Sequence, residues 1–86
     1  MEPAAHRLSI RASGADALFV SALQRSDDPS AAQIRQAIAA ATGAFDYSGC
    51  AGRVAQEFGD HPETAAARMR WARSVADEVI SHPAAA

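Results

Sequence analysis

Between Pro62 and Pro83 the apolar residues return about once per helical turn. Ala65, Met69, Ala72, Val75, Ala76 and Val79 follow one another at helical spacing. That interval stacks side chains on one face of an α-helix and scatters them over both faces of a strand. Pro62 suits a first helical turn, and Pro83 forbids continuation. His61 as the cap would put Pro62 first in the helix, whereas Asp60 as the cap would form a capping box with Glu63. The expected helix covers residues 62–81. Its opposite face shows Glu63, Ala66, Ala67, Arg70, Arg73, Ser74 and Asp77.

The same period appears three more times upstream. Ser13-Gly14-Ala15-Asp16 has the form of a capping box, and Leu18, Phe19, Ala22 and Leu23 make an apolar stripe behind it. A helix over 14–25 is expected, stopped by Ser26-Asp27-Asp28-Pro29. Asp28 is a natural cap and Pro29 a natural first-turn residue for a second helix over 29–42, with Ile34, Ile38, Ala41 and Phe45 inward and Gly43 as its stop. Asp46-Tyr47-Ser48-Gly49 reads as a loop with cap-forming side chains. A short helix over 49–58 would bury Ala51, Val54, Ala55 and Phe58, ended by a left-handed Gly59. Upstream of Gly14, His6 to Ser13 alternates polar and apolar, which suggests an extended arm with Leu8, Ile10 and Ala12 on one face. The expectation is an all-α chain. Residues 1–13 form a tail and arm, residues 14–82 a small four-helix bundle, and residues 83–86 a tail.

Composition limits how firmly such a bundle holds. Of 86 residues 23 are alanine, so few large apolar side chains are left for a core. Alanine at helix contacts gives close approach but little buried area per residue, so modest stability or a homodimer that adds area is expected. Lysine is absent and all eight basic residues are arginine, the bias that a G+C-rich bacterial genome imposes through its codons. The net charge of −2 gives no global electrostatic case for nucleic acid. One cysteine, Cys50, excludes an intramolecular disulfide, no apolar run approaches the roughly 18–20 residues of a membrane span, and MEPAAHR lacks the apolar core of a signal peptide. A cytoplasmic protein is expected.

The chemistry of catalysis is missing from the pattern. His6, His61 and His82 lack zinc-ligand spacing, and Cys50 reads as a small buried hydrophobe. Asp27-Asp28 and Asp77-Glu78 are paired carboxylates with capping or solvent roles. Neither a phosphate-cradling glycine loop nor a nucleophile elbow occurs. We expect no enzyme, no metal, no cofactor and no small-molecule substrate.

One segment carries a functional hint. A short helix, a turn with glycine and a longer helix make the helix-turn-helix pattern. Ala55, Gly59, Thr64, Arg68-Met69 and Ala72-Arg73 stand at the small packing residue, the turn glycine and the recognition-helix positions of that pattern. Over residues 46–80 the chain resembles the C-terminal DNA-binding domain of bacterial sigma factors and related response-regulator domains. It departs from them at Asp60, where they place an aliphatic residue, at Ala65 and Ala66, where they place valine and a basic residue, and at Trp71, often basic in those families. Two cations of a phosphate-binding face are thereby gone.

The resemblance implies that Arg70 and Arg73 point into a major groove and that Thr64 meets a phosphate at the helix N-terminus. Arg53 would touch DNA backbone, and Arg7 and Arg11 on the arm would enter a minor groove. Arg68 lies near the apolar face and is expected to be structural, paired with an acid of an earlier helix. Trp71 either covers a neighbouring helix or anchors a protein partner. Two functions follow from the residues. One is a small bacterial DNA-binding regulator or accessory factor. The other is a non-enzymatic protein-interaction module on the same scaffold that has lost DNA.

Overall fold

The structure is a computed structural model. It describes the backbone over residues 3–81 and the side chains over residues 12–80. Among these residues all regular structure is helical: α1 (Pro3–Val20), a 3-10 turn (Arg25–Asp27), α2 (Ala31–Asp60) and α3 (Pro62–Ser81). The Cα radius of gyration is 12.5 Å, close to the roughly 12 Å of a folded chain this long.

α1 replaces the expected arm. Its backbone is helical from Pro3, through the segment that alternates in sequence. The alternation hid a second pattern: Leu8, Ala12, Ala15 and Phe19 stand at spacings of four, three and four. Ser13-Gly14-Ala15-Asp16 is therefore mid-helix and caps nothing. Gly14 is there for packing. A Cβ on it would stand 3.3 Å from Ile80 Cδ1 and 3.9 Å from Ala76 Cβ, so its absence lets α1 and α3 approach closely.

α1 stops at Val20 rather than near residue 25. Ser21 folds back on it, its hydroxyl donating to the Leu18 carbonyl at 2.7 Å. The chain then makes a tight turn in which the Gln24 N–H donates to Asp27 Oδ2 at 2.8 Å and Asp28 takes a left-handed conformation with φ 48°. The cap of α2 is Ser30, not Asp28. Ser30 Oγ accepts from the Gln33 N–H at 3.2 Å, and Gln33 Oε1 accepts from the Ser30 N–H at 2.8 Å. The two bonds form a reciprocal capping box.

The second and third expected helices are two limbs of α2. They meet at Asp46, the one residue inside it with non-helical backbone, φ 52° and ψ 179°. Asp46 caps the second limb: its Oδ1 accepts from the Gly49 N–H at 2.9 Å. Gly43 and Gly59 are helical and no glycine among the described residues has a positive φ, so neither acts as the expected stop. A single residue, His61, joins α2 to α3. Its N–H closes α2 on the Glu57 carbonyl at 2.7 Å, and its carbonyl opens α3 by accepting from Ala65 at 2.8 Å. Pro62 follows as the first residue of α3, where its missing N–H costs nothing.

The core lies where α1 meets α3. Ala15, Leu18 and Phe19 pack with Ala65, Met69, Ala72, Ala76 and Val79, and Ile34 closes the cluster from α2. A smaller cluster of Ala17, Ala41 and Cys50 joins α1 to both limbs of α2. Leu18 and Cys50 are the largest side chains that are fully buried. The second limb contributes little. Ala51 and Ala55, expected inward, are exposed; Phe58 is 38% exposed but its ring stacks on Phe19 at 6.2 Å, and in that stretch Cys50 is buried while Gly49 and Val54 are half-buried.

Candidate functional site

Arg68 stands beside three of the candidates, lining one cleft with Arg53 and Thr64 and lying against Trp71. It projects from α3 under the end of α1. Its Nε donates to the Phe19 carbonyl at 2.6 Å, and its Nη2 faces the carbonyls of Leu18, Ser21 and Leu23 at 3.3, 3.0 and 2.9 Å. Leu18 and Phe19 belong to the last turn of α1, where helix carbonyls lack intrahelical donors, and Ser21 and Leu23 follow it; the Leu18 carbonyl also accepts from Ser21, and a cation there suits the helix dipole. The structural role expected for Arg68 holds, but its partners are main-chain oxygens and not an acid. Burial pushes its pKa down from the usual arginine value.

The same guanidinium sits 5.2 Å from the Trp71 ring centre and 5.8 Å from that of Phe19. Trp71 is half-buried and packs against the core. Its ring is thus held by a cation that is itself held by four carbonyls. The covering role expected of Trp71 is present, and part of its surface remains open.

The arginines assigned to DNA divide into two groups. Arg53 and Thr64 line one cleft of about 350 Å³ together with Phe19, Gln56, Glu57 and Arg68. Arg53 is stacked on Phe45, its Cζ 4.0 Å from the ring centre. Arg70 and Arg73 line a different, open depression with Ala12, Ser74 and Asp77. Thr64 and Arg73 are nine residues apart, which is about two and a half helical turns, so they leave α3 on opposite sides. Arg7 and Arg11 fall on α1, and their side chains lie outside the described residues.

A third cleft, about 540 Å³, brings together residues distant in sequence. The turn after α1 supplies Arg25, Asp28 and Pro29. The outer flank of α3 supplies Ala67, Arg70, Trp71, Ser74 and Val75. Arg70 lines this cleft with Arg25 and also lines the depression with Arg73. Sequence reasoning missed Arg25, because it placed that residue in the last turn of a helix over 14–25. The signal available was Ser30 with Gln33, a capping box that leaves residues 21–29 free to turn back.

Two acids modulate the interior. Burial pushes the Asp16 carboxyl above the usual aspartate value, and the charge of Arg73 draws it partway back. Burial, then the charges of Asp16 and Asp46, push the Cys50 thiol up, while Arg53 opposes them. Cys50 is 1% exposed and its Sγ lies 3.7 Å from the Ala41 carbonyl. It is a buried thiol, as its sequence context suggested.

No cluster of three metal-ligating side chains occurs among the described residues, and no described helix is long and apolar enough to cross a membrane. No family model, curated protein or solved structure matches the chain.

Proposed function

We propose that the chain is a non-enzymatic helical interaction module that docks a protein partner at the Trp71 side of α3. The observation that carries this is the division of the arginines. A recognition helix needs its cations and its phosphate-binding N-terminus on one face. Here Thr64 and Arg53 open on one side of α3 and Arg73 on the other, and Arg68 is consumed by the end of α1. A partly open tryptophan held by an anchored arginine is instead the kind of feature that concentrates binding energy in protein interfaces. The open second limb of α2 fits the same role, with Tyr47 63% and Phe58 38% exposed.

Site-specific photocrosslinking tests this. A photoreactive residue replacing Ala67, on the rim of the Trp71 cleft, is expected to give one discrete protein adduct in the native cells, and Trp71→Ala is expected to remove it while leaving the helical spectrum intact. An adduct of twice the chain's mass would identify the partner as a second copy, in keeping with the homodimer expected from the thin core. An absence of any protein adduct, or an adduct indifferent to Trp71→Ala, would refute the proposal.

The second reading is DNA binding by a sigma-factor-like helix-turn-helix, with the two limbs of α2 and α3 as its helices. Arg70, which lines one depression with Arg25 and another with Arg73, favours it. The one-residue link at His61 and the helical Gly59 do not reproduce the glycine turn that the resemblance implies.

A further inference from the structure

The Trp71 cleft has a chemistry of its own. Its two walls come from different parts of the chain, and each carries one arginine at the rim: Arg25 from the turn and Arg70 from α3. Both side chains are exposed. Among the described residues neither guanidinium has a hydrogen bond or ion pair, in contrast to Arg68 beside them. Two forked donors flank an indole whose position Arg68 already fixes, so a ligand would meet a preformed site and lose little entropy in ordering it. Arginine pairs with planar carboxylates in bidentate fashion.

We infer that this cleft binds an acidic segment of a partner protein, its carboxylates on Arg25 and Arg70 and an apolar side chain of the segment on Trp71. The inference rests on the protein-docking proposal and names the chemistry of its partner. The surrounding charge selects a short acidic segment over a polyphosphate. Asp28 lies in the same rim, and Glu63 and Asp77 stand on the same outer side of α3. A nucleic acid brings a phosphate at every step and would meet these acids as well as the arginines. A segment with one or two carboxylates can engage the arginines alone.

Trp71 is the only tryptophan in the chain, so its fluorescence reports on the cleft directly. The full-length protein is titrated with a short blocked peptide carrying two carboxylates and one phenylalanine. The expected result is a saturable change in emission that weakens with salt. Arg25→Ala and Arg70→Ala should each raise Kd about threefold, and the double Arg25→Glu/Arg70→Glu variant by more than about tenfold, as for exposed charge pairs whose sign is reversed. Circular dichroism of the variants checks that they fold. An unchanged Kd in the double variant, an equal response to a Lys-rich peptide, or displacement by duplex DNA at concentrations equal to the peptide's would each overturn the inference. If the peptide response fails while the Ala67 crosslink persists, the acidic chemistry is wrong and the docking proposal stands. If both fail, both are wrong.

Discussion

The guanidinium of Arg68 meets four carbonyl oxygens at and just beyond the end of α1, and of these only the Leu18 carbonyl has a second side-chain donor among the described residues, the Ser21 hydroxyl. Arg68→Ala takes the side-chain donor from the Phe19, Ser21 and Leu23 carbonyls in a partly buried site, where each orphaned group costs about 1–3 kcal/mol before water enters. We expect a net loss of about 3 kcal/mol, allowing for that water. Arg68→Lys should recover only part of it, since an ammonium cannot span the same fork. Urea denaturation measures both, and a loss below about 0.5 kcal/mol for Arg68→Ala would mean that the capping is incidental. Asp46 gives a second residue-scale expectation. Its positive φ is strained for any side chain, and its carboxylate caps the second limb of α2. Asp46→Asn keeps an accepting oxygen and should be nearly neutral, whereas Asp46→Ala should cost about 1 kcal/mol. Asp16 gives a third. Its pKa is raised by burial, so the protonated form suits the fold and stability is lost as pH rises through the folded value. Asp16→Asn should therefore be more stable than the native chain at neutral pH, with the gain disappearing as pH falls below the ordinary value of 3.8. A gain that persists in acid would show that charge is not its cause.

At the scale of elements, legibility followed the strength of local signals. α3 starts at Pro62 and covers the described residues its apolar period marked, because one face is apolar throughout. α1 was misplaced at both ends. Its start was hidden by alternation that also fits a helix, and its end depends on Arg68, 47 residues away from Ser21. Contacts of that range leave no local trace. The two limbs of α2 were recognised as helices, and Asp46 lies in the stretch read as a capping loop, but their stops were assigned to glycines when the bend lies at an aspartate. The two packing glycines should behave differently. A Cβ on Gly49 would stand 3.1 Å from Phe45 Cβ, next to the backbone, whereas on Gly14 it would meet the free end of Ile80 at 3.3 Å. Gly49→Ala should lower Tm, whereas Gly14→Ala should leave it nearly unchanged, because Ile80 can turn aside and alanine is the better helix former by up to about 1 kcal/mol. Equal effects in thermal melts would contradict this account of the bend.

For the molecule as a whole, the thin core was legible and its consequence is visible. With alanine at six of the twelve buried apolar positions among the described residues, Leu18 and Cys50 are the largest side chains fully buried, and the second limb of α2 stays largely open. The candidate site was less legible. Helix phase puts Arg70 and Arg73 on the outer face of α3 and Trp71 on its flank, and the resemblance alone suggested a role for the two arginines. Their grouping with Arg25 was not legible, because it needs the turn at residues 21–29 to fold back on α3. Arg53 and Thr64 were placed with Arg70 and Arg73 by resemblance, and the phase of α3 separates them.

The central claim is that these arginines do not act together on DNA. Fluorescence anisotropy of a labelled random duplex at low salt tests it most directly. The account predicts no saturable binding at micromolar protein, and no difference between the native chain and the Arg70→Ala/Arg73→Ala variant. Saturable binding that falls with salt on a slope of several released counterions, and that this double variant abolishes, would contradict it.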